Sequence, residues 1–141
     1  KQSKYAAAAK RLWISNAFVS KKIENSLGTI HGIGLVEYMV LHNLVNSPNK
    51  ALRRIDLADS LGRTASGITK MLKPMEKIGL IKKEISPRDA RASLVKITSA
   101  GEGIFNDATL TLDQKSEQVL GRLDEKQIAT FLSLLNVIHG E

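Results

Sequence analysis

The chain has 141 residues, 43% apolar, 25% charged and 4% aromatic, a composition that fits one globular domain and excludes a second large one. With no cysteine there is no disulfide framework, cysteine-ligated zinc, cysteine nucleophile or sulfur redox switch, and a reducing compartment is the expected setting. The net charge of +7 is concentrated: residues 50–96 hold 12 of the 21 basic and five of the 14 acidic residues, so this third of the chain carries the whole excess.

A basic middle between neutral flanks suits a surface that meets a polyanion, nucleic acid first and an anionic membrane second. A solubilising charge pattern is the plainer alternative. Residues 1–10 contain an alanine run but lack the charged start, long apolar core and cleavage site of a signal peptide. No stretch of about 18 apolar residues occurs, so a cytoplasmic protein without a membrane partner is expected.

In chain order, residues 5–27 contain no Gly or Pro, and Leu12, Val19, Ile23 and Leu27 recur at helical spacing, which predicts one long helix broken by Gly28, Gly32 and Gly34. Residues 35–45 predict a second helix, apolar on most sides and ended by Asn46, Ser47 and Pro48. Leu57, Ala58 and Leu61 mark one face of a short third helix from Ile55 that stops at Gly62. Thr64 is placed to cap a fourth, in which Ile68, Met71, Leu72 and Met75 fall at i, i+3, i+4 and i+7. Ser66, Thr69, Lys70, Lys73 and Lys77 take its other faces, so this helix is apolar behind and basic in front. Pro74 conflicts with that pattern and predicts a bend near Lys73 or an early stop, because it cannot bond the carbonyl of Lys70.

After Gly79 the period becomes strand-like, and residues 80–85 and 93–97 predict a β-hairpin with a long basic tip holding Pro87, Arg88, Asp89 and Arg91. Thr98 and Ser99 open a fifth helix, with Ile104, Phe105, Ala108, Leu112 and Val119 as its apolar stripe, ending near Gly121. Asp124 and Gln127 form a capping-box pattern for a last helix, flanked by Leu123 and Ile128 as a staple. Its broad apolar side, from Ile128 to Ile138, suits packing within the chain or between two chains.

The third and fourth helices, joined by Leu61, Gly62 and Arg63, form a helix-turn-helix candidate followed at once by the hairpin. Ser66, Thr69 and Lys70 of the second helix are offered to base edges or phosphates, with Arg63, Lys73 and the first-turn amides near Thr64 suited to phosphate. Arg88 and Arg91 could reach an adjacent minor groove, with Asp89 orienting Arg91 through a charge-assisted hydrogen bond.

Leu57, Ala58, Leu61, Gly62, Ile68 to Met71, Glu76, Gly79 and Leu80, followed by Asp89, Arg91, Leu94, Ile97, Thr98 and Gly101, resemble the MarR family of winged-helix transcription regulators. Its signature is an Asp-x-Arg wing followed by a strand and a Leu-Thr or similar pair before a Gly. The match is strongest over 52–101. The resemblance implies a mainly α fold with a small β-hairpin wing (α+β), a winged helix-turn-helix at 48–97, and flanking dimerisation helices at 1–47 and 98–141 within a single domain. It further implies a homodimer, more often a repressor, that binds double-stranded DNA at a pseudo-palindrome. Thr64, Ser66, Thr69 and Lys70 then become recognition-helix residues, and Arg91 the wing arginine held by Asp89. Two departures are Ser86, where many members carry an acid, and Pro74 within the recognition helix.

The resemblance also implies a crevice between the dimerisation helices and the winged helix for a phenolic or aromatic carboxylate effector, with Trp13, His31, Tyr38 and His42 as candidate liners. The family's cysteine oxidation switch is excluded here by composition.

Enzyme readings fail on spacing. Residues 62–69 approach a phosphate-binding loop, but Ile68 stands where the lysine after the second glycine is required, and Gly32 and Gly34 lack the third glycine of a dinucleotide fingerprint. His31, His42 and His139 are too dispersed for a metal site, and no nucleophile elbow occurs, so no cofactor is expected. The alternative outside DNA binding is a winged helix used as a protein-interaction module that meets an acidic partner.

Overall fold

The computed structural model describes residues 3–89 and 93–140. Helix α1 (Lys4–His31) is capped by Ser3, whose side chain accepts from the N–H groups of Tyr5 and Ala6 at 3.1 and 3.4 Å. It runs through Gly28, where a break was expected, and ends at Gly32, which adopts φ +69° and donates its N–H to the Gly28 carbonyl. One mid-helix glycine costs about 1 kcal/mol against alanine. Beyond Gly28 the helix is anchored on α5, where His31 Nε2 lies 2.7 Å from Thr111 Oγ1. Of Gly28, Gly32 and Gly34, Gly32 is the one whose backbone adopts the left-handed region that ends a helix.

Helix α2 (Leu35–Val45) occupies the predicted segment and begins where the Gly34 N–H donates to Glu37 Oε2 at 2.5 Å. It buries Tyr38, Val40, Leu41 and Leu44, which explains its apolar content on most sides. A 3-10 turn, Pro48–Lys50, leads into strand β1 (Ala51–Arg53), which the sequence reading missed. Helices α3 (Arg54–Ser60) and α4 (Ala65–Lys77), strands β2 (Ile81–Ile85) and β3 (Ser93–Ile97), and helices α5 (Ser99–Leu120) and α6 (Glu125–Ile138) complete the order.

The sheet is antiparallel, β1-β3-β2, with Leu52 opposite Val95 and Ile81 opposite Ile97. Only three residues long, β1 exists through its pairing with β3, some forty residues away, so no local alternation marks it. Helix α4 does not stop at Pro74 but continues to Lys77. The carbonyl left without its usual donor belongs to Lys70, an exposed residue where water can serve it.

One core joins these elements: Leu27, Leu41, Leu44, Leu57, Ile68 and Leu72 are sealed from solvent, and Val95, Ile97 and Ala108 close it from the sheet and α5. The junction with α5 is tight. The Thr98 N–H donates to the Leu80 carbonyl at 3.0 Å, its hydroxyl donates to the Gly79 carbonyl at 2.5 Å, and a Cβ on Gly101 would lie 2.2 Å from the Leu80 oxygen.

Helix α6 carries the expected capping box, with Gln127 N–H donating to Asp124 Oδ1 at 2.8 Å and Asp124 N–H to Gln127 Oε1 at 3.0 Å. None of its residues is buried, and Leu132, Leu134, Val137 and Ile138 are each more than half exposed. Its apolar side therefore stays uncovered within the described chain.

Candidate nucleic-acid interface

Leu57 and Ala58 fix α3 to the core, and the Arg63 N–H donates to the Ala58 carbonyl at 2.8 Å, holding the turn between the two helices closed. Helix α4 starts at Thr64, whose Oγ1 accepts from the Gly67 N–H at 3.1 Å as an N-cap. Ile68, Leu72 and Met75 of α4 are buried; Ser66, Lys70, Lys73 and Lys77 are exposed. Thus α4 has the apolar back and basic front that its spacing predicted. Thr69 is half-buried, and its hydroxyl donates to the Ala65 carbonyl at 3.0 Å, which leaves oxygen lone pairs as acceptors.

Arg63 and Thr64 are exposed at the start of that face. Arg88 and Asp89 are exposed near the hairpin tip, where the Arg88 N–H donates to Ser86 Oγ at 3.3 Å. Arg91, and with it the expected contact to Asp89, lies outside the described residues.

Two arginines at the entrance to α3 were not singled out from sequence. Arg53 forms a two-point pair with Asp56, Nε to Oδ2 at 3.0 Å and Nη2 to Oδ1 at 3.2 Å. The hydrogen bond to Asp56, then the attraction of its charge, raises the Arg53 pKa above its ordinary value. Arg54 is half-buried, and its Nε is closed off from solvent with no hydrogen-bond partner. The signal that could have found it is register, since Arg54 stands at i to Leu57, Ala58 and Leu61 on the inward stripe of α3.

The four residues expected to line an effector crevice are not all brought together. His31 Nε2 lies 2.7 Å from Thr111 Oγ1, the Tyr38 hydroxyl lies 2.7 Å from Thr109 Oγ1, and the Tyr38 ring stacks on Phe105 at 5.1 Å. His42 is tilted over the same Phe105 at 6.1 Å, so Tyr38 and His42 share one side of α5, whereas Thr111, the partner of His31, stands on another face of that helix, about 200° round from Thr109. Trp13 sits instead on the first half of α1, 74% exposed, in a shallow depression with Ala9, Lys10 and Ile14. Among the described residues no group of three or more His, Asp or Glu side chains could hold a metal ion, and no helix is long and apolar enough to cross a membrane.

A short supporting helix, a capped helix with a basic outer face, and a β-hairpin returning onto the same core define a winged helix-turn-helix protein. The MarR family model matches residues 33–93. The transcriptional regulator HosA of Escherichia coli O111:H- is 29% identical over 99 residues, covering 70% of this chain and 72% of HosA. The HTH-type transcriptional regulator PapX of E. coli is 35% identical over 101 residues, covering 70% of this chain and 60% of PapX. The fold superposes with a TM-score of 0.86 on Sco3205, a MarR family transcriptional regulator from Streptomyces coelicolor in complex with DNA, at 20% identity over 99% of this chain and 92% of that one. The match to the MarR family of winged-helix transcription regulators thus falls on residues 33–93, and the relatives named here are transcriptional regulators to which this chain is similar. These relatives are regulators and not enzymes.

Proposed function

We propose that the protein is a cytoplasmic homodimeric repressor that binds a pseudo-palindromic DNA operator. The observation that carries this reading is α4, which buries Ile68, Leu72 and Met75 while presenting Ser66, Lys70, Lys73 and Lys77 on one outward face. That arrangement matches a helix lying in the major groove, with Ser66, Thr69 and Lys70 at base edges and Arg63, Thr64 and Lys73 at phosphates. Arg88, Asp89 and Arg91 belong to a wing that enters the neighbouring minor groove, whose negative potential favours arginine. Residues 48–97 serve as the DNA-reading part, and 1–47 with 98–141 as the dimerising part.

Dimerisation is supported by the uncovered side of α6 and by an open apolar groove of ≈ 650 Å³ between α1, α5 and α6, lined by Leu12, Phe18, Val119, Phe131 and Leu135 among others. A second copy would cover both and place the two α4 helices about 34 Å apart, one turn of duplex. A phenol or aromatic carboxylate that entered beside His42 and Phe105 would release the operator only by favouring a dimer with a different spacing of α4.

The test is selection of bound sequences from a random duplex pool at near-physiological salt. Enrichment of an inverted repeat with half-sites about 10 base pairs apart supports the reading. Absence of any enriched sequence, with retention of an acidic protein on the immobilised chain, replaces it with the protein-interaction module. Adding a hydroxybenzoate to the selected complex tests the effector, and an unchanged affinity removes that part alone.

A further inference from the structure

We propose that Arg54 grips a backbone phosphate of the bound duplex, a contact made by the supporting helix in addition to those of α4 and the wing. The inference rests on the DNA-binding reading above. Arg54 opens α3 on the stripe that carries Leu57, Ala58 and Leu61 into the core and is half-buried, so part of its side chain is held against the fold while the rest meets solvent. Its Nε is the one buried side-chain polar atom among the described residues that has no hydrogen-bond partner. A guanidinium remains protonated at any ordinary pH and normally answers burial with a carboxylate or phosphate. Among the described residues the ion pairs are Lys50 with Glu102, Arg53 with Asp56, and Lys96 with Glu84, and none involves Arg54.

The contrast with Arg53 sharpens the point. Arg53 has its counterion inside the chain and would have to abandon two hydrogen bonds to Asp56 to reach DNA. Extending the Arg54 guanidinium breaks no hydrogen bond at Nε and no ion pair, so a phosphate supplies what the free protein leaves missing. Helix-turn-helix geometry puts a phosphate within reach, because the supporting helix crosses the sugar–phosphate backbone while the following helix enters the groove.

The experiment compares Arg54→Met, which keeps the inward stem, Arg54→Gln, and the charge-neutral double variant Arg53→Gln with Asp56→Asn. Each is tested with the intact chain and the selected duplex by fluorescence anisotropy between roughly 50 and 200 mM salt, with thermal melting as the check on folding. Each lost phosphate contact lowers the salt slope by about 0.9, so two copies per duplex give about 1.8, and affinity near 0.1 M salt falls by roughly tens of fold. Both Arg54 variants are expected to show this change, and the double variant is expected to keep the parent slope. A steep parent slope that neither Arg54 variant alters overturns the proposal and leaves DNA binding standing. An equal loss of slope in the double variant also overturns it, since the effect would then be diffuse charge. A parent chain that binds no duplex overturns this proposal together with the reading beneath it.

Discussion

Replacing Gly101 by alanine tests the packing at the root of α5. The new methyl would lie 2.2 Å from the Leu80 carbonyl oxygen, 2.8 Å from Ile97 Cγ1 and 3.1 Å from the Leu80 carbonyl carbon. The obstructing oxygen is main chain and already accepts the Thr98 N–H, so it cannot turn aside and the two elements must part by about 1 Å. Overpacking of this kind costs about 1–3 kcal/mol, and alanine returns up to about 1 kcal/mol of helix propensity. The expected balance is a loss of about 1–2 kcal/mol, or roughly 3–7 °C in Tm for a chain of this size. Gly103, two positions further on, has nothing within 4 Å of its added methyl. The same substitution there is expected to raise Tm by about 2–3 °C. Thermal melts followed by circular dichroism at one fixed protomer concentration read both, since Tm depends on concentration for any chain that assembles. If Gly101→Ala melts at or above the parent temperature, the argument from the Leu80 contact is wrong.

Other expectations follow from separate parts of the fold. Thr64→Ala removes the N-cap of α4 and is expected to cost about 1 kcal/mol by denaturant unfolding, with Thr64→Ser retaining most of it; equal stability of all three would contradict the cap. Lys73→Ala is expected to weaken all duplexes alike and flatten the salt slope by about 0.9 per protomer, while Lys70→Ala alters which sequences are preferred; identical effects would deny α4 its split between phosphates and bases. Leu132→Glu on the open side of α6 is expected to give a monomer of about 15 kDa in sedimentation, and a persisting dimer would place the interface elsewhere. The single tryptophan, Trp13, is solvent-exposed in one chain, so its emission is expected to shift to shorter wavelength as protomers associate; emission independent of concentration across the dissociation range would count against its burial in the dimer.

Much of this fold was legible because its signals are local. The i, i+3, i+4, i+7 spacing of Ile68, Met71, Leu72 and Met75 and the threonine before it are enough to place α4, and the Asp124–Gln127 box placed the start of α6. Errors occurred where a distant contact overrode a local preference. Gly28 reads as a helix end, yet the helix runs on to His31, which meets Thr111 of α5 at 2.7 Å. Pro74 reads as a stop, but the turn continues with Met75 buried in the core, and the carbonyl without its usual donor belongs to the exposed Lys70. Strand β1 has no alternating pattern and is created by its partner β3. At the candidate interface, the residues of α4 follow from helical phase alone. The differing circumstances of Arg53 and Arg54, adjacent and identical in type, follow from Asp56, which pairs with Arg53, and from helical phase, which puts Arg54 on the stripe of Leu57, Ala58 and Leu61.

The direct passage from β3 into α5 has a mechanical consequence. With only Thr98 between strand and helix, and both Thr98 bonds fastened to the base of β2, α5 is a rigid lever whose short end is the wing. Its 22 residues span about 33 Å, so a tilt of about 5° displaces one end relative to the other by about 3 Å. That distance approaches the rise of one base pair. In the proposed dimer, a modest change of angle between the two chains would thereby become a misfit on DNA, without any part of the winged helix having to unfold.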